Sequence, residues 1–469
     1  MLSSSSLSII NHRWFFFVIT FFAIYLAISY IITSFTQIDN EITDKKKTYV
    51  SYIDETSTTS NSHSCFGTES NEERYMTYLP HSGFHNQRNM LENAVFLSWV
   101  LNRTLIMPPV IFTKKSIIPH RPYNILYKMI TGNMTNNVIT CKRKGVEDNR
   151  CMFTQLDWEE LMDFKFIKKN IRYIHRGDQN FNVNELYSFL NITNPENQVF
   201  TLAEETRYDF QFYDDENITK VSDDQFDHLI HLCSLQRRKE KLIHFGSIYH
   251  LNRFNLRFKK NIEFLKSVRE NMIINHPVLL DIGDKISEQL GGLGSFIGVH
   301  LRLGDMGFDK KFGQKAEENV DSITKSLLNE IGDIPSSYNK LEEIEVSDSN
   351  YLIPTNTMIE SEKCLRSISP EQRNFPIIYL ASDKPRNDHR LKKFLREFPC
   401  VFMLFSNFEK YLEPLKKVKN PRDGALLYRY FVPFVDGIVA ARGNKFIGTP
   451  ESTFSDYVLR LHEHWVGPQ

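Results

Sequence analysis

Apolar and polar residues alternate most regularly in the stretch Phe296–Asp305. Every second residue of Ile297–Leu303 is aliphatic, whereas His300 and Arg302 lie on the opposite face. A period of two predicts a strand with a buried face. His300 and Arg302 come near its carboxyl end, where ligands bind in open α/β sheets. Arg302 there suits a phosphate, because a guanidinium bonds two oxygens at once; the alternative is a structural ion pair with Asp305.

A second pattern, with apolar residues three and four positions apart, covers residues 91–101 and predicts an amphipathic helix. Residues 75–80 before it and 103–109 after it are apolar enough for strands, so the order is that of a βαβ unit. The polar loop 82–88 leads into the helix. It is either an anion site, because free backbone N–H groups point outward at a helix start, or a plain connector.

Strands and helices continue to alternate through the rest of the chain, which predicts the α/β class. We expect two α/β domains, residues 71–285 and 286–469. A strand at 376–383 ends in Asp383, and residues 309–370 read as a polar insertion with one or two short helices.

The last predicted strand, residues 445–449, is followed by a helix that opens with Ser452 and Thr453. Both residue types cap helices well. Their hydroxyls and the free N–H groups of the first turn also form a phosphate site by geometry, so the position is either a cap alone or a cap that binds a ligand.

The N-terminal part differs from this body. Residues 14–36 carry no charge and are long enough to span a bilayer core of about 30 Å, so we expect a transmembrane anchor that meets the membrane through Trp14–Phe35. Residues 1–13 would be a cytoplasmic tail. Residues 37–70 are polar and cannot bury enough apolar surface to fold, which predicts a flexible stem.

Two features place the body in the lumen of the endoplasmic reticulum or Golgi, as in a type II membrane protein. All six cysteines follow the anchor, and an even number fits disulfides; Cys141 and Cys151 flank a short loop that one bridge could close. N-glycosylation sequons also follow it, at Asn102, Asn133, Asn191 and Asn217. The count of nearby Lys and Arg weakly favours the opposite orientation.

Charge excludes one class of partner. Lys plus Arg and Asp plus Glu are both 57 in the 469 residues, so the net charge is zero. A nucleic-acid-binding protein usually has a strong basic excess, and we therefore predict no nucleic-acid partner.

Several strand and loop ends point to one rim of the predicted sheets: loop 82–88, His300 with Arg302, Asp383, and Ser452 with Thr453. Two α/β domains with a cleft between them suit a sugar nucleotide. Arg302 and the helix start at Ser452 would meet its diphosphate, and Asp383 would accept hydrogen bonds from a guanine edge or a ribose.

In its motifs the chain resembles the GDP-fucose protein O-fucosyltransferase family. The matching pieces occur in the family's order, at residues 83–87, 101–109, 297–302, 379–383 and 446–454. The resemblance implies two Rossmann-like domains facing a cleft (GT-B type), GDP-fucose as donor and inversion at the fucose anomeric carbon. The acceptor hydroxyl, on protein Ser/Thr or on a glycan, stays open.

The resemblance also implies roles for single residues. Arg302 would stabilise the leaving diphosphate, and Asn86 would lie near the fucose and the acceptor. The other donor-binding residues would be Gly83, Phe84, His300, Asp383, Ser452, Thr453 and Phe454. No metal or cofactor is expected: no two Asp lie two positions apart, so the Asp-x-Asp motif with which many glycosyltransferases hold a metal is absent.

The first loop departs from the family at two positions. Some members have Arg where this chain has Gly83, and others have a Glu, able to act as base, where it has Ser82. Either His85 takes the acceptor proton, or the leaving group drives a dissociative reaction with no base. Two alternatives to a fucosyltransferase remain: a transferase for another nucleotide sugar, and an inactive, binding-only lumenal relative.

Overall fold

The fold is taken from a computed structural model. The structure describes residues 72–113, 118–131, 134–135, 138–139, 141–143, 146–148, 153–176, 182–304, 309–331, 364, 376–398 and 400–468. Residues Cys65–Gln469 form one compact unit, separate from Met1–Ser64. Within the described ranges no helix is both long and apolar enough to cross a bilayer. The expected tail, anchor and stem, residues 1–70, lie outside these ranges, as do the side chains of Asn133, Cys141 and Cys151.

The first part of the body alternates strands and helices. Its strands are β1 (Tyr75–Thr77), β2 (Thr104–Met107), β3 (Val110–Thr113), β4 (Met134–Thr135), β5 (Val138–Ile139), β6 (Cys141–Arg143), β7 (Val146–Asp148), β8 (Phe153–Leu156), β9 (Tyr173–His175), β10 (Val199–Leu202), β11 (Phe210–Tyr213), β12 (His228–His231), β13 (Leu242–Phe245) and β14 (Phe254–Asn255). Its α-helices are α1 (Phe84–Leu101), α2 (Tyr123–Thr131), α3 (Lys165–Asn170), α4 (Val183–Phe189), α5 (Pro195–Gln198), α6 (Leu232–Gln236), α7 (Lys259–Asn271) and α8 (Pro277–Gln289).

Five of these strands form a parallel sheet in the order β10-β13-β1-β2-β9. Its central strands are almost entirely buried; Met76, Leu105 and Ile243, for example, expose nothing. From β1 the chain first extends the sheet to one side through β2 and β9, then returns to the other side through β10 and β13. β1 is therefore adjacent to β13, the last strand to join the sheet, and open α/β sheets bind ligands outside the carboxyl ends of their strands.

The second part continues from residue 290. Its strands are β15 (Ile297–Leu301), β16 (Ile378–Ser382), β17 (Val401–Phe402) and β18 (Lys445–Gly448). Its α-helices include α9 (Asp309–Ile331), α10 (Lys392–Glu397), α11 (Leu404–Asn407), α12 (Tyr428–Ala441) and α13 (Thr453–Trp465). The 3₁₀ helices of the body are Trp158–Glu160, His389–Leu391 and Glu409–Lys417.

These four strands form a second parallel sheet, in the order β17-β16-β15-β18. The predicted strand β15 is confirmed, and it is buried on both faces. Its aliphatic face packs in one apolar cluster with α9. Its other face meets α12 so closely that a Cβ at Gly298 would lie 1.8 Å from the carbonyl oxygen of Ala440. This sheet reverses its order between β15 and β18.

The α/β class is confirmed, and the two parallel sheets lie on either side of the expected boundary at residues 285 and 286. Some element predictions were wrong. The insertion contains the 23-residue helix α9 rather than only short helices, because Val320, Ile323 and Leu327 fall on one buried face. The apolar run 401–405 predicts a strand, but the observed strand ends at Phe402 and a helix begins at Leu404.

Among the described residues, Cys233, Cys364 and Cys400 are disulfide-bonded. Cys364 and Cys400 form a disulfide with Cα atoms 5.8 Å apart, and no cysteine of the described residues is free. The expectation of disulfides is confirmed for this pair.

Candidate active site

The end of β15 is fixed by Thr449, a residue that the sequence did not single out. The Thr449 hydroxyl donates to the carbonyl of His300 at 2.9 Å and accepts from the N–H of Arg302 at 3.0 Å. On the other side, the Asn319 side chain donates to the Arg302 carbonyl at 3.0 Å. The backbone of Arg302 is thus held on both sides, while its side chain is exposed.

His300 takes a different position from Arg302. Its ring is buried, with Nδ1 2.7 Å from the Ser455 hydroxyl and its centroid 4.5 Å from that of Phe454. Burial, and then the charge of Arg302, lower the pKa of His300 to about 3. The imidazole is therefore neutral, and it holds the first turn of α13 against β15.

The start of α13 has the predicted cap. Ser452 precedes the helix, and its hydroxyl accepts from the N–H of Ser455. Thr453, the first helical residue, donates its hydroxyl to Oδ1 of Asn86 at 3.1 Å. This bond joins the first turn of α13 to the first turn of α1. Free N–H groups at such a helix start favour an anion.

The loop before α1 has an unusual backbone. Ser82 has a φ of 64°, in the left-handed region. Gly83 follows as the residue before the helix, and a Cβ there would meet nothing within 4 Å. The Gln87 side chain anchors the turn, because it accepts from the N–H of Ile111 at 2.9 Å and donates to its carbonyl at 2.8 Å. The loop therefore presents Gly83 to open space from a fixed position.

His85 lies among aromatic rings. Its centroid is 5.1 Å from that of Phe454 and 5.2 Å from that of Tyr457, and Phe84 is also 5.1 Å away. Burial, followed by the nearby charge of Arg88, holds the pKa of His85 well below its usual value. Its Nδ1 is buried without a hydrogen-bond partner. This environment keeps the imidazole neutral and makes it a weak base.

Asp383 closes the neighbouring strand end. One carboxylate oxygen accepts from the N–H of Leu303 at 2.8 Å, and the residue is exposed. Asp383 therefore uses one carboxylate oxygen to hold the backbone at Leu303, just after β15. Four candidate site residues are thus fixed at the ends of elements. Arg302 follows β15, Asp383 follows β16, and Asn86 and Thr453 lie in the first turns of α1 and α13.

A buried ion cluster connects α1 with α13 beneath these groups. Arg88 is completely buried, pairs with Glu92 and lies 4.5 Å above the Tyr457 ring. Glu92 in turn accepts from Arg460 at 2.8 Å. The nearby arginines hold the pKa of Glu92 below its ordinary value, although burial opposes them. In the described residues no cluster of three or more His, Cys, Asp or Glu side chains is placed to hold a metal ion.

Residues 75–464 match the family model described as O-FucT, GDP-fucose protein O-fucosyltransferase. The chain belongs to this family. The match covers both sheets and every site residue described above, so the resemblance carried by the sequence motifs is confirmed.

Individual relatives are similar to this chain only over a short stretch or at low sequence identity. A stretch of 39 residues is 46% identical to O-fucosyltransferase 30 of Arabidopsis thaliana, and it covers 8% of this chain and 8% of that protein. POFUT1 in complex with GDP is 13% identical, with a TM-score of 0.39 over 85% of this chain and 96% of that one. NodZ α-1,6-fucosyltransferase soaked with GDP-fucose is 14% identical, with a TM-score of 0.37 over 83% and 93%.

In this family member the structure adds residues that the sequence motifs did not reveal. Thr449 orients the backbone of Arg302, and contacts of Arg88 with Tyr457 and of Glu92 with Arg460 connect α1 to α13. A signal for the ion cluster was present, since Arg88 and Glu92 lie four residues apart on a helix face that is otherwise apolar. No local signal marks Thr449, because its hydroxyl bonds to His300 and Arg302, which lie 149 and 147 residues earlier.

Proposed function

We propose that this protein is a glycosyltransferase that moves fucose from GDP-fucose to a hydroxyl of a protein Ser/Thr or a glycan, with inversion at the anomeric carbon. The match of residues 75–464 to the family model is the main support. The arrangement of Arg302, Asp383 and the start of α13 around adjacent strand ends provides groups suited to a sugar nucleotide.

In this proposal the two sheets belong to two Rossmann-like domains, residues 71–285 and 286–469, that face a cleft in a GT-B arrangement. The diphosphate lies between the guanidinium of Arg302 and the first turn of α13 at Ser452 and Thr453. Asp383, His300, Phe84, Gly83 and Phe454 complete the donor site.

The reaction then needs two contributions from the chain. Arg302 stabilises the charge that grows on the diphosphate as the glycosidic bond breaks, because its fixed backbone aims a planar donor at that group. Asn86, held by Thr453, positions the fucose and the acceptor hydroxyl. No cofactor or metal takes part, since a guanidinium and a helix start supply the positive charge.

A nucleotide-sugar screen tests the donor. The full-length protein in detergent is unfolded thermally with GDP-fucose, GDP-mannose and representative UDP and CMP sugars, and GDP release is measured in parallel. We expect GDP-fucose to raise Tm and to be hydrolysed slowly with water as acceptor. A larger shift with another sugar would favour the second transferase class, and a shift with no GDP release would favour a binding-only relative.

Chelation tests whether turnover requires a metal ion. Turnover should survive EDTA, because Arg302 and α13 provide the charge. Loss of turnover in EDTA with recovery in Mn²⁺ would contradict this part of the proposal.

We also propose a type II topology, with the body in the lumen of the endoplasmic reticulum or Golgi and the membrane contacted through Trp14–Phe35. The three sequon residues Asn102, Asn191 and Asn217 are exposed, so an attached glycan would not disturb the core. In eukaryotic cells, removal of N-glycans should increase gel mobility, and Asn191→Gln and Asn217→Gln should each reduce that shift. An unshifted wild type would place the body outside the lumen.

A further inference from the structure

A chain of four polar side chains lies at the carboxyl ends of β10, β13 and β1. Glu204 follows β10 by two residues, Ser247 follows β13 by two, and His81 with Ser82 follows β1. These strands are neighbours in the sheet, in the order β10-β13-β1. The site described above is built mainly from the second sheet, so these groups have no assigned role.

Hydrogen bonds connect Ser82, His81 and Ser247 in series, and Glu204 lies beside Ser247. The Ser82 hydroxyl is 2.8 Å from Nδ1 of His81, and Nε2 of His81 is 2.7 Å from the Ser247 hydroxyl. The Ser247 hydroxyl is also near the Glu204 carboxyl, and it favours the charged form of that carboxyl. His81, Ser247 and Glu204 are all at least 97% buried, and Ser82 keeps 8% of its surface exposed. The series therefore has one end near solvent and one end in the interior.

The number of protons that His81 and Ser247 carry determines which group donates and which accepts along the series. The Ser247 oxygen already accepts from the N–H of Tyr249 at 3.2 Å. A neutral imidazole has one N–H, so if His81 accepts from Ser82 at Nδ1, it donates from Nε2 to Ser247. The proton of Ser247 is then available only to another acceptor. Glu204 offers one, because its Oε1 bonds Arg253 at 2.5 Å while Oε2 is buried without a hydrogen-bond partner.

The outer end of the series borders the candidate active site. Ser82 directly precedes Gly83, whose Cβ direction is open, and it lies four residues before Asn86. The ring of Tyr249 is 6.0 Å from that of His81, and the charge of Arg302 is close enough to act on the Tyr249 hydroxyl. Arg302 is therefore near the ring that borders His81, and Ser82 is next to the loop residues that we propose contact the fucose.

We propose that Glu204 is the final proton acceptor of the transfer reaction and that it receives the acceptor's proton through Ser82, His81 and Ser247. This rests on the proposed function. The acceptor oxygen bonds to the anomeric carbon, and the bond from that carbon to the diphosphate breaks with its electron pair leaving on GDP. The acceptor proton passes to Ser82, the Ser82 proton to Nδ1 of His81, the Nε2 proton to Ser247, and the Ser247 proton to Glu204.

The electrostatics of the series fit this direction. Burial raises the pKa of Glu204 to about 8, although Arg253 and Ser247 oppose it, and a base acts best when its pKa lies near the working pH. Burial and nearby cations hold the pKa of His81 well below its usual value, so His81 transmits a proton rather than keeps it. The other charged or titratable groups around the series are His120, Arg207, Asp209, Tyr249, His250 and Arg253.

The test interrupts the series without breaking the buried ion pair. Glu204→Gln leaves the fully buried Arg253 without its carboxylate, so Ser82→Ala and Ser247→Ala are the primary variants. Ser98→Ala is the matched control, since Ser98 is a buried serine whose hydroxyl bonds the carbonyl of Arg103 at 2.6 Å outside the site. The full-length protein is assayed for GDP release from GDP-fucose with water as acceptor, from pH 6 to 9.

We expect kcat to fall about 10²-fold in each variant, the lower range for a general base, with KM for GDP-fucose unchanged. The kcat of the double variant should be no lower than that of either single variant, because the first substitution already stops proton transfer along the series. The wild-type kcat should rise with pH toward about 8, since Glu204 accepts a proton only when ionised, and this rise should disappear in the variants.

Two results would overturn the relay: variants that match Ser98→Ala in kcat and keep the pH-dependent rise, or a double variant whose loss is the product of the single losses. If the wild type releases no GDP from GDP-fucose, the proposed function itself fails. Turnover by the wild type together with unaffected variants overturns the relay alone.

Discussion

The Thr453 hydroxyl donates a hydrogen bond of 3.1 Å to Oδ1 of Asn86 across 367 residues of chain. Each residue lies in the first turn of its helix, so the bond joins the two ends at which ligand atoms are expected. It also fixes the Asn86 amide, because an amide oxygen that accepts here leaves the NH₂ group to point elsewhere.

Replacing Thr453 by Val should therefore lower kcat/KM for GDP-fucose about fivefold, the equivalent of one net hydrogen bond of about 1 kcal/mol. Thr206→Val is a suitable control, because the Thr206 hydroxyl makes a bond of the same length to Asp227 away from the site. Kinetics of Thr453→Val, Asn86→Ala and the double variant measure the coupling. Fully additive losses would mean that the two residues act separately.

Arg302→Lys should reduce turnover about 10²–10³-fold with little change in Tm, because an ammonium cannot replace two oriented N–H donors on the leaving diphosphate. Thermal unfolding and GDP release are measured on the same preparation. The control is Arg237→Lys, an exposed arginine paired with Glu216. A lower Tm with unchanged turnover per folded molecule would show that Arg302 is structural.

Two glycines should respond in opposite ways to alanine. Gly298→Ala places a Cβ 1.8 Å from the Ala440 carbonyl, so we expect the free energy of unfolding to fall by about 3 kcal/mol or more. Gly83→Ala meets nothing within 4 Å and should cost less than about 1 kcal/mol, but its methyl group enters the open space beside the loop and should impair turnover. Denaturant unfolding and GDP release together separate the two effects. Equal stability losses would contradict the difference in packing.

His300 should make stability depend on pH. Its pKa is lowered from 6.5 to about 3 in the folded protein, so the unfolded chain binds the proton more tightly. The stabilisation is complete above pH 6.5 and is lost as the pH falls toward 3, at about 1.4 kcal/mol per pH unit. Other buried histidines add to this slope, so the readout is the slope lost in His300→Asn, measured by urea unfolding between pH 7 and 4. The 79% exposed His389, replaced by Asn, should leave the slope unchanged, and an equal slope in both variants would contradict the assignment.

Local periodicity in the sequence was sufficient to predict several elements of this fold. The alternation of Ile297–Leu303 specified β15 because side chains on a strand point to opposite faces in turn. The Ser452 cap and the βαβ unit that begins at β1 were also readable, since capping and amphipathic spacing act over a few residues. Family motifs in the expected order then identified the family.

Tertiary structure decided which side chains meet and which are buried. His300 and Arg302 are equivalent in the strand pattern, yet α13 covers the first and leaves the second exposed. Thr449, the Arg460–Glu92 contact and the series from Ser82 to Glu204 depend on contacts between residues that are remote in sequence. Hydrogen bonds and desolvation act through distance in space, and distances between remote residues are set only when the sheets form and the helices pack on them.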